Sequence, residues 1–130
     1  MSNFKDVGEF HGKFGLPVAG SVPIRFLAPG EAAYRQNFIR EELNEYAQAH
    51  LRKDMVALAD ALVDLAYVVL GTAHYHGLPW EELFAAVQGA NMRKERGEGH
   101  RRGPCESIVK PPGWSPPDLL PILRRHGWKG

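Results

Sequence analysis

Two aspartates on the most apolar segment of the chain constrain its fold more than any other feature. If residues Met55 to Tyr75 form a helix, apolar residues lie on nearly all of its sides, a pattern typical of a helix in the interior of a protein. Asp60 and Asp64 are four residues apart, so their carboxylates share one face of this helix. Because buried like charges are costly unless something compensates them, the pair predicts a bound cation.

A second group of carboxylates precedes this segment. In a helix predicted over about residues 30–51, Glu41, Glu42 and Glu45 gather on one side. The short connection around residues 52–54 allows the two helices to pack antiparallel, which brings both groups of carboxylates together. A site of oxygen ligands alone favours Mg²⁺ or Mn²⁺ over zinc. The glutamates by themselves are equally typical of a solvated helix face, and the aspartates are what favour a metal site.

Length and composition indicate one compact domain over residues 1–130. The chain has 44% hydrophobic residues and a net charge of +1, which suits a modest core. We expect no membrane span, because no run approaches the roughly 18–20 apolar residues that one needs, and the N-terminus lacks the order of a signal peptide. These features predict a cytoplasmic protein. The chain contains no P-loop.

The charges are distributed unevenly along the chain. Residues 1–92 hold 7 basic and 11 acidic residues, whereas residues 93–130 hold 9 basic and 4 acidic residues. An acidic region followed by a basic tail suits a metal-bound phosphate compound, although such a tail also suits nucleic acid. Nucleic acid is the less favoured partner, because the basic cluster lacks interleaved aromatic residues and a recognition helix; the cluster comprises Arg93, Lys94, Arg96, Arg101 and Arg102. Lys110, between Val109 and Pro111, is the better placed phosphate partner.

The remaining segments complete an all-α antiparallel helical bundle. A short N-terminal helix is predicted to end near Gly15, and a loop then runs to Gly30. A third long helix is predicted from Trp80 to about Arg96, followed by an irregular basic segment and a short terminal helix capped by Asp118. So few helices leave apolar surface exposed, so we expect a homo-oligomer, either a dimer or a tetramer.

The two groups of carboxylates also resemble a family motif. The MazG-like all-α nucleoside triphosphate pyrophosphohydrolases, which include phosphoribosyl-ATP pyrophosphohydrolase and dimeric dUTPases, share an EExxE…ExxD pattern that is similar to Glu41-Glu42-Leu43-Asn44-Glu45 followed by Asp60-Ala61-Leu62-Val63-Asp64. Further pieces resemble the small phage-type branch of the family and extend the similarity over most of the chain: Phe10-His11-x-Lys13-Phe14-Gly15, residues 67–72, Asn91-Met92-x-Lys94 and residues 110–118. The chain departs from the motif at Ala61, where the family usually has Glu, and Asp60 is a candidate for a displaced ligand.

The resemblance implies a Mg²⁺- or Mn²⁺-dependent enzyme that uses two or more ions. Such an enzyme splits a nucleoside triphosphate between the α and β phosphorus, giving a monophosphate and pyrophosphate. Glu42, Glu45 and Asp64 would be the core metal ligands, with Asp60 as an adjunct. Glu41 would be a further ligand or the base that orients water. The resemblance also implies that Lys13, Asn91 and Lys94 contact the substrate, beside Lys110.

The substrate and the functional class leave alternatives. The phage-type branch includes enzymes that act on guanine nucleotides, so dGTP is the expected substrate, and the location is then the host cytoplasm. dCTP, dUTP and phosphoribosyl-ATP remain open. The alternative from another class is a non-catalytic helical binding module whose basic tail contacts nucleic acid.

Overall fold

A computed structural model of the chain describes residues 2–97 and 108–130. It divides into two compact units, Met1–Leu78 with Gly127–Gly130, and Pro79–His126. The single domain over residues 1–130 therefore stays a prediction. Arg101 and Arg102 of the predicted basic cluster lie outside the described residues.

The first unit contains three helices: α1 (Asn3–Lys13), α2 (Pro29–Leu51) and α3 (Met55–Tyr75). Two of their beginnings are capped by side chains, since Ser2 Oγ accepts a hydrogen bond from the Lys5 amide and Asp54 Oδ1 accepts one from the Ala57 amide. Gly77 has φ +68° directly after the cap of α3, a conformation that favours glycine and ends the helix there as predicted. The all-α class predicted from the sequence is confirmed.

Helices α2 and α3 form the main packing layer of this unit. Residues 52–54 connect them, so the two helices run antiparallel, and α1 packs on α3. The buried side chains between helices are mostly small, which allows the helix axes to approach closely; they include Val7, Ala49, Ala61, Val68 and Ala73.

Helix α3 is less buried than the sequence predicts. The side chains of Val56 and Val63 are 83% and 64% exposed. Of the most apolar 18-residue segment of the helix, 17% is buried inside the protein. Among the described residues, α3 is the one helix long and apolar enough to cross a membrane by length and composition. This corrects our expectation that no segment approaches a membrane span, but the core helix of a soluble protein passes the same criterion.

The second unit contains α4 (Trp80–Met92), two short strands and α5 (Leu120–Arg125). The strands β1 (Glu95–Arg96) and β2 (Ile108–Val109) pair antiparallel, with Glu95 opposite Val109. The prediction that α4 continues to Arg96 is therefore wrong, because the chain pairs with a distant segment instead. Asp118 Oδ1 accepts a hydrogen bond from the Leu120 amide at the start of α5, near the position predicted for it.

Candidate metal centre

Three carboxylates from two helices converge in the first unit. Glu42 and Glu45 project from α2 and Asp64 from α3, and one ligand oxygen from each lies within 4.8 Å of the others. The two glutamates are three positions apart, so they lie on neighbouring turns of one helix face. The antiparallel packing of α3 sets Asp64 opposite them. We call these three residues the carboxylate cluster.

One oxygen of the carboxylate cluster is buried without a partner. Glu42 Oε2 is shielded from solvent and has no hydrogen-bond partner among residues 2–97 and 108–130. Burial raises the pKa of Glu42 above its usual value, and the negative charges of Glu45, Asp64 and Glu41, together with a side-chain hydrogen bond with Glu45, raise it further. A buried carboxylate oxygen in this state is destabilising unless a positive ligand reaches it.

The residues of the carboxylate cluster fit a hard divalent cation. Carboxylate oxygens from two rigid helices are the ligands that Mg²⁺ and Mn²⁺ prefer. A cation placed among the three oxygens would satisfy Glu42 Oε2 and relieve the mutual repulsion of the carboxylates. The arrangement is thus chemically suited to hold a divalent ion together with the phosphates of a ligand.

The other two predicted ligands are not part of this cluster. Glu41 is exposed on α2, and Asp60 is exposed on α3 rather than buried as the sequence pattern suggested. The expectation of a buried Asp60 is wrong because α3 lacks covering side chains on that face. The charge of Glu41 still contributes to raising the pKa of Glu42.

A buried polar network that the sequence analysis missed joins α1, the loop after it and the C-terminal part of α3. His74 Nδ1 accepts a hydrogen bond from the Ala19 amide at 3.0 Å, and its Nε2 donates to the Phe4 carbonyl at 2.8 Å. His11 Nδ1 donates to the Pro17 carbonyl at 2.6 Å. These bonds fasten α1 and the following loop to α3. Burial lowers the pKa of both histidines, so both are held neutral.

Arg35 is the charged member of this network. It is 5% exposed and lies on α2 seven residues before Glu42, close to two helical turns at about 3.6 residues per turn. That spacing was visible in the sequence and places Arg35 on the same face as Glu42. The sequence did not reveal the acceptors, which belong to α3.

Exposed aromatic side chains lie one turn from Asp64. Tyr67 follows Asp64 by three residues on α3, and its ring meets Phe10 edge to face with 5.5 Å between centroids. Phe10 also contacts Phe14, with 4.8 Å between centroids. Lys13, a predicted substrate contact, places its Nζ 5.5 Å from the centroid of the Phe14 ring. This is an apolar surface with a cation at its edge.

The other predicted substrate contacts lie in the second unit. Asn91 is exposed on α4, Lys94 directly precedes β1, and Lys110 directly follows β2. The strand register sets the two lysines at the same end of the ladder. Their ammonium groups lie 5.3 and 4.9 Å from the centroid of the Trp114 ring. Trp114 is itself fixed by its Nε1, which donates to the Ala90 carbonyl at 2.7 Å.

Comparison with known proteins identifies the family. A family model described as phosphoribosyl-ATP pyrophosphohydrolase matches residues 7–91, which include most of α1, all of α2 and α3, and the whole carboxylate cluster. No curated protein matches the chain. The family match indicates nucleotide pyrophosphohydrolase chemistry, a general dependence on metal and a protein that is not built into a membrane.

Proposed function

Since the chain belongs to the phosphoribosyl-ATP pyrophosphohydrolase family, we propose that it is a Mg²⁺- or Mn²⁺-dependent hydrolase that cleaves dGTP to dGMP and pyrophosphate. The observation that carries the metal part of this proposal is the unpartnered buried oxygen of Glu42 within a cluster of three carboxylates. A divalent ion bound there would neutralise phosphate charge and activate water.

The residues of the chain have distinct roles in this proposal. Glu42, Glu45 and Asp64 would hold the ion, with Asp60 as an adjunct. Glu41, exposed beside the carboxylate cluster, would be a further ligand or the base that orients the attacking water. Water attacks the α phosphorus directly, and pyrophosphate leaves.

The contacts to the substrate are proposed from the resemblance and from the surfaces of each unit taken by itself. The aromatic surface of Phe10, Phe14 and Tyr67 offers a stacking face for a base, one turn along α3 from Asp64. Lys13 at its edge contributes a positive charge. Lys94 and Lys110, both held against Trp114, are proposed to bind phosphate oxygens, and Asn91 supplies an amide for hydrogen bonding.

The choice of dGTP rests on the resemblance to the phage-type branch, and dCTP, dUTP and phosphoribosyl-ATP are the competing substrates. A hydrolysis panel over these nucleotides with Mn²⁺ would rank them. We expect pyrophosphate from dGTP at the highest kcat/KM. Orthophosphate and a nucleoside diphosphate as products would contradict the proposed bond.

Isotope labelling tests the site of attack. In ¹⁸O-labelled water, the label should enter the nucleoside monophosphate and not pyrophosphate, because water attacks the α phosphorus. Label in pyrophosphate would place the attack on the β phosphorus and overturn this mechanism.

The proposal includes self-association and a cytoplasmic location. Val56 and Val63 expose apolar surface on α3, and a second copy of the chain is the proposed cover, in a dimer or a tetramer. Sedimentation equilibrium would detect it. A protein that stays monomeric at high concentration would rule out this part.

A nucleic-acid-binding module without catalysis is the rival function. The basic residues of the second unit are the observation in its favour. Thermal shift separates the two, because the enzyme requires stabilisation by Mn²⁺ and triphosphate together. Salt-sensitive DNA binding that Lys94→Ala or Lys110→Ala weakens would favour the rival.

A further inference from the structure

The guanidinium of Arg35 is buried among neutral acceptors of α3. Its Nε donates to Thr72 Oγ1 at 3.1 Å and its Nη2 donates to the Val68 carbonyl at 2.9 Å. Its central carbon lies 4.6 Å from the centroid of the Tyr75 ring. Across residues 2–97 and 108–130, no carboxylate forms an ion pair with it. The positive charge of Arg35 is thus removed from solvent without a negative partner. Burying a charge in this way lowers the stability of the folded protein.

Gly71 of α3 leaves space for the side chain of Arg35. A Cβ at Gly71 would lie 2.9 Å from Arg35 Nη2 and 2.9 Å from His11 Nε2, too close for either atom to stay in place. The absence of a side chain at Gly71 therefore leaves room for Arg35 of α2 and His11 of α1. Thr72 Oγ1 also donates to the Val68 carbonyl at 2.7 Å, which fixes the acceptor that Arg35 uses. We call Arg35 with Val68 and Thr72 the guanidinium clamp.

The clamp has a defined place relative to the carboxylate cluster. Arg35 precedes Glu42 by seven residues, while Val68 follows Asp64 by four, so both sides of the clamp lie one to two turns beyond the carboxylates. At the other end of the hairpin, residues 52–54 close the connection between the helices. The carboxylate cluster is therefore held between two restraints.

We propose that Arg35 is a positioning residue for the carboxylate cluster, holding α2 and α3 so that Glu42 and Glu45 face Asp64. The inference rests on the proposed metal binding of that cluster. The planar guanidinium fixes direction as well as distance through its two hydrogen bonds, whereas small apolar side chains between the helices allow rotation and sliding. Arg35 acts through the ligands and does not touch the ion.

Metal affinity is the first test. Free Mn²⁺ gives an electron paramagnetic resonance signal that bound Mn²⁺ loses, so the Kd is measured without any nucleotide. We expect Arg35→Met to raise the Kd for Mn²⁺ by about 10-fold or more, as for supporting residues at other metal sites. Val7→Ala is the matched control, because it truncates a buried side chain of α1 that is not one of the three clamp residues, and it should leave the Kd unchanged.

A distance measurement tests the same inference without metal. Nitroxides at Gln36→Cys and Ala66→Cys, both exposed, report the separation of α2 and α3 in a Cys105→Ser background. Arg35→Met should shift or broaden this distance, and Val7→Ala should not. If the parent protein binds no Mn²⁺, the proposed metal function fails and the distance alone decides the role of Arg35.

Two results would overturn the positioning role. One is an Arg35→Met variant with the parent distance, whatever its Mn²⁺ affinity, since the clamp would then hold nothing in place. The other is the parent Kd for Mn²⁺ in a variant whose distance has changed. If Arg35→Met does not fold, Thr72→Val, which removes one acceptor, is measured instead and should change both quantities in the same direction to a smaller extent.

Discussion

The α2 and α3 helices bury ionisable groups at two places, and the two places treat them differently. At the guanidinium clamp, Arg35 has a hydroxyl and a carbonyl of α3 as acceptors. At the carboxylate cluster, Glu42 Oε2 is buried with no partner. A buried polar group that the chain itself satisfies is part of the structure, whereas one that it leaves unsatisfied requires a partner from outside. By this difference, the guanidinium clamp is a structural element and the carboxylate cluster is a candidate binding site.

Glu42 of the carboxylate cluster also differs in protonation from the two buried histidines of the polar network that contains Arg35. Burial raises the pKa of Glu42 and lowers the pKa of His11 and His74, so each group is pushed toward its neutral form. The histidines use that neutral form, because His74 accepts one hydrogen bond and donates another. For Glu42 the neutral form competes with the proposed ion, which requires the carboxylate.

Asp64→Ala should give the largest effect, because it breaks the carboxylate cluster from the α3 side. We expect hydrolysis to fall by at least about 100-fold, beyond the loss typical of supporting residues. The metal-free protein should stay folded and gain stability, since a repulsive carboxylate is gone. Pyrophosphate release and circular dichroism melting measure the two effects.

The control for that variant is Asp60→Ala, which removes an exposed aspartate one turn away on the same helix. A smaller loss of activity than for Asp64→Ala is expected if Asp60 is an adjunct. Equal loss in both variants would instead make Asp60 a full ligand, in the manner of the family Glu that Ala61 replaces.

Metal addition should stabilise the carboxylate cluster and leave the clamp unaffected. At 100 times its Kd, a ligand that binds the folded state alone adds about 2.7 kcal/mol to the free energy of unfolding. Glu42→Gln should lose most of this gain with Mn²⁺ while melting no lower than the parent in chelator. A Glu42→Gln variant that Mn²⁺ stabilises as strongly as the parent would exclude Glu42 as a ligand.

Acidification should change the stability of the metal-free protein with opposite signs through the two buried histidines and through Glu42. The folded state binds the histidine protons less tightly than the unfolded state, so stability is complete above pH 6.5 and falls as the pH drops through 6.5. The folded state binds the Glu42 proton more tightly, so its contribution is complete below pH 4.5 and is lost as the pH rises above that value.

Urea denaturation from pH 4 to 8 in chelator measures both contributions. In Glu42→Gln, the gain in unfolding free energy toward low pH should disappear, and the loss of unfolding free energy below pH 6.5 should remain. An unchanged pH profile in this variant would show that the Glu42 carboxyl does not titrate differently in the folded protein.

The smallest effect is expected where charges are exposed and paired. In the second unit, Glu82 accepts hydrogen bonds from His126 Nε2 at 2.6 Å and from Arg125 Nη2 at 2.8 Å, which lower the pKa of Glu82. Because solvent screens exposed pairs, Glu82→Gln should lower the melting temperature only slightly and leave Mn²⁺ affinity unchanged. A large drop in either quantity would mean that burial is not what distinguishes the important charges of this protein.

Much of the fold is local and can be predicted from the sequence. Apolar spacing and turn residues predict α2 and α3 to within about a residue, and Gly77 marks the end of α3 because few other residues adopt its φ. The end of α4 was missed because Glu95 and Arg96 pair with residues 108–109, and no local pattern reports a pairing across that distance.

The candidate site, like the fold, could be predicted from the sequence only in part. The sequence by itself determined that five carboxylates lie on two adjacent helices, because helical periodicity fixes the face on which each residue lies. Only the tertiary structure decided that Glu42, Glu45 and Asp64 converge, that Asp60 stays exposed, and that Arg35 finds its acceptors on α3. Periodicity assigns a direction around one helix, whereas a distance between two helices depends on how closely their small side chains allow them to pack.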